Sequence, residues 1–187
     1  TIAIGGHVRP DGDCIGSCMG LYSYIQDNFP GKKVTVYVEE IPSAFDYLSK
    51  EEAMTEQCGA DQVYDLFVAL DCGDKERLGE AAGILEKAKA TYCVDHHITN
   101  THFCQKEQVE ADASSTSQIL YTLMEDEKIS YATACCLYTG IIHDTGVFKH
   151  SNTSCRTMEI AGALMNKGIP FGKIIDGSFY MKSYKQL

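Results

Sequence analysis

Thr91-Tyr92-Cys93-Val94-Asp95-His96-His97 is the stretch whose reading decides the fold. Thr91 to Val94 is apolar or β-prone at every position, the pattern of a strand covered on both faces. Strands of that kind belong to parallel sheets with helices on either side. This one runs without a break into an acid and two imidazoles. In an open parallel sheet that rim, beyond the carboxyl ends of the strands, is where ligands bind.

Outward from there, three more strands are expected. Residues 1–6 form a short apolar run ending in Gly5-Gly6, residues 33–39 are β-branched, and residues 65–70 lead into Asp71-Cys72-Gly73-Asp74. Helical periodicity fills the intervals. Ile15, Met19, Tyr22 and Ile25 mark a helix over residues 13–28, and Gly16 and Gly20 on one face predict close packing on the sheet. A short helix is expected from Pro42 to Leu48, and another over residues 79–89. Ser114 or Ser115 caps a helix carrying Ile119, Leu120 and Leu123. A buried helix spans residues 130–142, an amphipathic one runs from Ser154 to Lys167-Gly168, and helical sequence starting near Pro170 continues to Leu187. Residues 49–62 are polar and ambiguous, and residues 98–113 read as a long polar loop of the kind that carries function. The fold class is therefore α/β, a parallel sheet flanked by helices on both faces.

Composition bounds the function. A chain of 187 residues, 44% hydrophobic and 22% charged, suits one domain over residues 1–187. No apolar run is long enough to span a bilayer and no signal-peptide pattern opens the chain, so a cytoplasmic location away from membranes is expected. The start at Thr1 without Met reads as a processed or trimmed fragment. A net charge of −10 with no basic stripe argues against a partner in long duplex nucleic acid. It leaves room for a small phosphorylated ligand held through cations. A homodimer is left open. The nine cysteines are odd in number and lack CxxC spacing, so they read as reduced thiols in core positions.

Three strand ends and one helix end carry groups that bind metals: His7, Asp11 and Asp13; Asp71; Asp95, His96 and His97; His143 and Asp144. Any one of these has an ordinary explanation, as a helix cap or a loop histidine. Together they point to divalent cations. Carboxylates and imidazoles without thiolates suit Mn²⁺ or Mg²⁺, with Co²⁺ or Zn²⁺ as substitutes. Four acids exceed what one six-coordinate ion with water and substrate takes, so two ions about 3.5–4 Å apart sharing a carboxylate are expected. Phosphoester hydrolysis is the reaction such a pair serves best, with a hydroxide bridging the ions as nucleophile.

At these residues the chain resembles the DHH phosphoesterase superfamily. His7-Val8-Arg9-Pro10-Asp11-Gly12-Asp13 is similar to its first motif, Asp71 stands at the second, Asp95-His96-His97 at the third and Asp144-Thr145-Gly146 at the fourth. Ser114-Ser115-Thr116-Ser117 and the run from Asp144 to Thr153 resemble the bifunctional oligoribonucleases, which degrade very short RNAs and remove the 3′-phosphate of adenosine 3′,5′-bisphosphate. The resemblance implies a sheet of about five strands and a Mn²⁺ pair. It implies that His7, Asp11 and Asp71 hold one ion. Asp13, Asp71, His96 and Asp144 would hold the other, with Asp71 as the bridge. His97 would lie beside the substrate phosphate and Asp95 would orient an imidazole, so Asp71, His97 and Asp95 are the candidate catalytic set. The partner would be short RNA or a small nucleotide. A small C-terminal domain with a Gly-Gly-Gly-His motif, expected from the family, is absent from the sequence.

Arg9 and Arg156 are candidate phosphate contacts, set against the ordinary reading of solvated arginines. Asp74 reads as a turn acid, and Ser114, Ser115 and Thr116 as helix caps, with a phosphate at that N-terminus as the lesser reading. Two rivals stand beside the oligoribonuclease reading. One is a manganese inorganic pyrophosphatase, disfavoured by Arg9 and Gly12 where those enzymes carry Asn and Thr. The other is a nucleotide-sensing module without turnover.

Overall fold

The computed structural model describes residues 1–48, 54–55 and 62–180. Strands β1 (Ile2–Gly5), β2 (Val34–Tyr37), β3 (Met54–Thr55), β4 (Leu66–Leu70), β5 (Thr91–Asp95) and β6 (Lys106–Val109) form one sheet in the order β3-β2-β1-β4-β5-β6. Every pairing is parallel. The chain moves from β1 out to β3 and then crosses back to β4 on the other side of β1. The order therefore reverses between β1 and β4, where Gly5 pairs with Ala69. A crevice opens at such a reversal, because the two connections leave in opposite directions.

The sheet is the parallel α/β arrangement read from the sequence, with two strands not expected there, the two-residue β3 within residues 49–62 and β6. β6 lies inside residues 98–113, which were expected to form a loop. Its sequence, Lys-Glu-Gln-Val, is polar because it sits at the sheet edge, exposed or half-buried along its length. An edge strand has no apolar signal to give, and charged side chains there discourage pairing with another chain.

Alternation along the inner strands divides the core in two. Ile4, Val36, Val68, Leu70 and Val94 face a large cluster with α1 (Gly12–Asn28), α3 (Thr116–Leu123), α4 (Tyr131–Asp144) and α5 (Cys155–Met165). Ala3, Tyr37, Phe67, Ala69 and Cys93 face a smaller one covered by the 3₁₀ turn Glu76–Ala81 and α2 (Ala82–Lys87). Left-handed Gly79 (φ +56°) breaks that segment, so the single helix expected over 79–89 is a turn and a short helix instead. Ser43–Leu48 forms the short helix expected after Pro42, as a 3₁₀ turn. From Pro170 the chain forms α6 (Phe171–Ile174) and a π-helical turn, Ile175–Tyr180. The expected continuation over 181–187 lies outside the described residues, as do most of residues 49–62. Among the described residues no helix is long and apolar enough to cross a membrane.

The glycine face of α1 does not meet the sheet as expected. It meets α4. A Cβ on Gly16 would stand 2.5 Å from the Cys136 carbonyl oxygen and 2.8 Å from the Gly140 nitrogen, and one on Gly20 would stand 2.8 Å from Leu137. Spacing in a sequence shows that small residues admit a neighbour, not which neighbour. Because the atoms facing Gly16 are backbone, neither helix can yield locally. Gly16→Ala should therefore destabilise the chain by about 1–3 kcal/mol, read as a lower midpoint with an unchanged slope in urea unfolding.

Candidate metal centre

His7 is the second residue past β1 and is buried. Its Nδ1 donates to the Val8 carbonyl at 2.9 Å, which leaves Nε2 as the free ring atom. That atom lies 3.5 Å from Asp71 Oδ2 and 3.7 Å from Asp11 Oδ1. Asp11 caps α1, where its Oδ1 accepts the amides of Asp13 and Cys14, each at 3.1 Å. It is more open than its neighbours, with a side chain 59% exposed.

Asp71 is the first residue beyond β4. Its φ of +54° is the left-handed conformation, which costs an ordinary residue energy and which Asp tolerates better than most. The side chain is 2% exposed. Oδ1 lies 3.5 Å from His96 Nε2 and 3.8 Å from His97 Nδ1, and accepts the Thr116 hydroxyl at 3.1 Å. Its other oxygen, Oδ2, is the one facing His7. A single buried carboxylate thus turns its two oxygens to histidines from two different strand ends.

His96 Nε2 also stands 2.9 Å from Asp144 Oδ2, at the end of α4, and 4.0 Å from Asp13 Oδ2. Asp13 is wholly buried, and α3 makes that tolerable. The amides of Thr116 and Ser117, in the helix's first turn, donate to its two oxygens at 2.6 and 3.0 Å. Unpaired amides and the positive helix end both favour a carboxylate there. Sequence reading assigned this N-terminus to a cap and, as a lesser alternative, to a phosphate. Ser115 does cap it, but two of its amides belong to Asp13.

Asp95 is also fully buried and is held by His97 Nδ1 and Asn100 Nδ2, each at 2.6 Å. The imidazole it orients is therefore that of residue 97. His97, 32% exposed, is the most open ring of the group. Behind Asp144 the chain turns through three left-handed residues, Gly146 (φ +55°), Val147 (φ +55°) and Phe148 (φ +63°). Thr145 pins that turn: its hydroxyl donates to the Ile141 carbonyl and accepts the Phe148 amide. Asn152 donates to the carbonyls of Asp144 and Ser114. Thr116, Asn100, Thr145 and Asn152 were not singled out for these roles. Ser/Thr and Asn in loops read as caps and turns, and no local pattern shows which distant group they hold.

Arg9, also left-handed, lines a cleft of about 530 Å³ with Glu39, Glu40 and Glu80, and its amide donates to Glu39. Arg156 is exposed in the first turn of α5. Asp74 accepts the Arg77 amide, as a turn acid does. The His143 ring packs edge-on against Phe45 and Phe179 at 4.9 and 5.3 Å and bonds Ser178 Oγ, so it faces an aromatic pocket. The His150 Nδ1 donates to the main-chain carbonyl of Asp144.

Electrostatics explain what this cluster asks for. For His96, burial opposes the charge, but Asp144 and Asp71 outweigh it and push the pKa up to about 11. Burial likewise opposes charge on His7, and the Asp11 and Asp71 carboxylates overcome it. Burial, then the charges of Asp71 and Asp144, raise Asp13 well above the carboxylate range. Burial also raises Asp144, against the pull of His96. Asp71, buried but flanked by two imidazoles, is held low. The cluster gathers positive charge, here as protons. Donor atoms of Asp13, His96 and Asp144 lie within 4.8 Å of one another, as do those of Asp71, His96 and His97 and those of His7, Cys14 and Asp71. Oxygen and nitrogen donors so gathered, with negative charge in excess, fit divalent cations.

Comparison with known proteins agrees. A family model described as the DHH family, N-terminal domain, matches residues 1–141. The chain is 31% identical over 176 residues to a probable bifunctional oligoribonuclease and PAP phosphatase NrnA of Streptococcus mutans serotype c, covering 93% of this chain and 55% of that protein. Among solved structures, an exopolyphosphatase-related protein from Bacteroides fragilis superposes with a TM-score of 0.88 at 26% identity, over 98% of this chain and 57% of that one. A putative family II inorganic pyrophosphatase of Methanococcus jannaschii, at 20% identity and a TM-score of 0.70 over 95% of this chain and 61% of that one, shares the fold. The chain spans about half the length of the curated relatives it matches. With the family model covering three quarters of its length and the fold and cluster described above, the chain belongs to the DHH family of phosphoesterases.

Proposed function

We propose that this chain is the metal-binding part of a phosphoesterase acting on short oligoribonucleotides and on small nucleotides such as adenosine 3′,5′-bisphosphate. The observation that carries the reading is Asp71, whose two carboxylate oxygens face His7 and His96 separately. The printed function of the Streptococcus mutans relative supports the substrate class.

In this reading His7, Asp11 and Asp71 hold one divalent ion, and Asp13, Asp71, His96 and Asp144 the other, with Mn²⁺ the expected metal. Two such ions, when bound, supply Lewis-acid chemistry, neutralising phosphate oxygens and easing deprotonation of the attacking water. The chain's own groups do the rest. Asp71 keeps the two halves at one spacing, and Thr116 holds Asp71 in place. His97 donates its Nδ1 proton to Asp95, which fixes the ring and leaves Nε2 for the substrate. The Asp95 carboxylate also raises the His97 pKa, against burial, which favours a proton on Nε2 for the leaving oxygen. Asn100 occupies the second oxygen of Asp95 and keeps it from turning away.

Two outcomes are expected. Asp71→Ala should abolish Mn²⁺-stimulated hydrolysis, and His97→Gln should lower kcat by about 10²–10⁴-fold with a smaller change in KM. Both are measured with adenosine 3′,5′-bisphosphate, a diribonucleotide and pyrophosphate in parallel. Turnover of pyrophosphate alone would overturn the substrate assignment, and unchanged turnover in Asp71→Ala would overturn the site. Second, the carboxylates around His7 and His96 raise the pKa of both rings, so the metal-free chain holds protons there at neutral pH. A cation must displace them. Mn²⁺ binding should therefore release protons and tighten as pH rises from 6 toward 8, about the neutral range. Calorimetry in buffers of different ionisation enthalpy reads both.

A further inference from the structure

Resting on the reading of this cluster as a metal centre, we propose that Cys14 is a further ligand on the His7 side, and that this half takes a thiophilic divalent cation of the zinc or cadmium class in place of the Mn²⁺ expected above. Cys14 lies in the first turn of α1, one residue past Asp13, and is fully buried. Its sulfur, a ring nitrogen of His7 and a carboxylate oxygen of Asp71 are all within 4.8 Å of one another. Metal bonds of about 2.0–2.3 Å to nitrogen, oxygen and sulfur bring ligands to comparable separations around one ion.

The ordinary reading is a small core thiol. Cys18, one turn on, fits that reading, since it is buried and belongs to the large core cluster. Cys14 differs. Besides packing beside Cys18, its Sγ reaches the main-chain oxygen of His7 at 3.8 Å and stands within 4.8 Å of metal-binding atoms of His7 and Asp71. Gly6 makes the room, because a Cβ there would collide with the Cys14 sulfur.

The two halves of the centre are also unequally supplied. The His96 side has Asp13 and Asp144 in addition to the shared Asp71. Among the described residues the His7 side has, besides Asp71, only Asp11 as a carboxylate, whose Oδ1 already accepts two amides and whose side chain is mostly exposed. With His7 and Asp71, Cys14 makes a set of three, the number of protein ligands that zinc takes where a fourth position is left to water or substrate. A sulfur donor favours softer ions, while the all-oxygen and imidazole set opposite favours Mn²⁺ or Mg²⁺. The halves are thereby matched to different metals. Ligation exchanges the S–H bond for a metal–sulfur bond, and the proton leaves to solvent.

The test is spectroscopic and independent of turnover. The chain is titrated with Cd²⁺, and sulfur-to-metal charge-transfer absorption is followed in the near ultraviolet. The Zn²⁺ form is examined by X-ray absorption for a sulfur neighbour at about 2.3 Å. The band should appear and saturate with one equivalent of cation. It should be lost in Cys14→Ala and Cys14→Ser and kept in Cys155→Ala, which removes an exposed thiol. Loss of the sulfur should weaken Cd²⁺ by at least roughly tenfold, the smaller effect of losing even a supporting contact, with Mn²⁺ affected less. Calorimetric Mn²⁺ or Zn²⁺ binding with no sulfur signal would overturn the role of Cys14 and leave the metal centre standing. Failure of every cation to bind would overturn both. A band that persists in folded Cys14→Ala assigns the sulfur to another cysteine and refutes the proposal. If the variants do not fold, the X-ray absorption of the unmodified chain decides alone.

Discussion

Asp11, Asp13, Asp71 and Asp144 converge on one rim at the strand ends, and three of the four are largely withdrawn from water. Like charges held about 4 Å apart at intermediate screening repel by roughly 4 kcal/mol, so this rim needs compensation from every side. The α3 amides neutralise Asp13, imidazoles stand between the carboxylates, and Thr116 donates to Asp71. Even the glycines of the helix pair belong to this constraint. Asp13 rides on α1 and Asp144 on α4, and both must approach His96. A Cβ on Gly140, one turn before Asp144, would strike Asp13 and Ser117. The close packing of the two helices is what lets their acids share one imidazole.

Much of this was readable in advance, for identifiable reasons. Inner parallel strands are apolar on both faces, so β1, β2, β4 and β5 announce themselves. The reversal of strand order places His7 and Asp71 on neighbouring strands, and groups at strand ends must converge there whatever the loops do. β6 was hidden because an edge strand carries no apolar run. The packing partner of Gly16 was hidden because a helix and a sheet admit small residues alike. Thr116 looked like a cap because its sequence neighbourhood is that of a cap, while its partners lie 45 and 103 positions away.

Cys14 shows a different kind of concealment. Buried thiols are common core residues, and nothing in Asp13-Cys14-Ile15 marks the first apolar residue of a helix as facing a histidine. Only the fold reveals that the Cys14 sulfur, packed against Gly6, lies within 4.8 Å of a ring nitrogen of His7. His143 is the reverse case. It stands beside Asp144 in sequence, yet its ring points into Phe45 and Phe179, and burial pushes its pKa down to about 4. Adjacent positions at a helix end point nearly a third of a turn apart, enough to send one side chain to the cluster and the next to the aromatic pocket.

The separation of 103 positions between Asp13 and the first amide that holds it has a kinetic meaning. Contacts of such separation form late in folding, after the entropy of closing long loops has been met. No partly folded intermediate in which α1 and α3 have yet to meet can present the assembled rim. A cation that recognises the assembled rim thus binds the finished fold and not its precursors. Its concentration then adds directly to the stability of the native state, by about 2.7 kcal/mol at a hundredfold excess over Kd. The same acids that burden the folded chain when bare become, once a cation is present, a reason for it to stay folded.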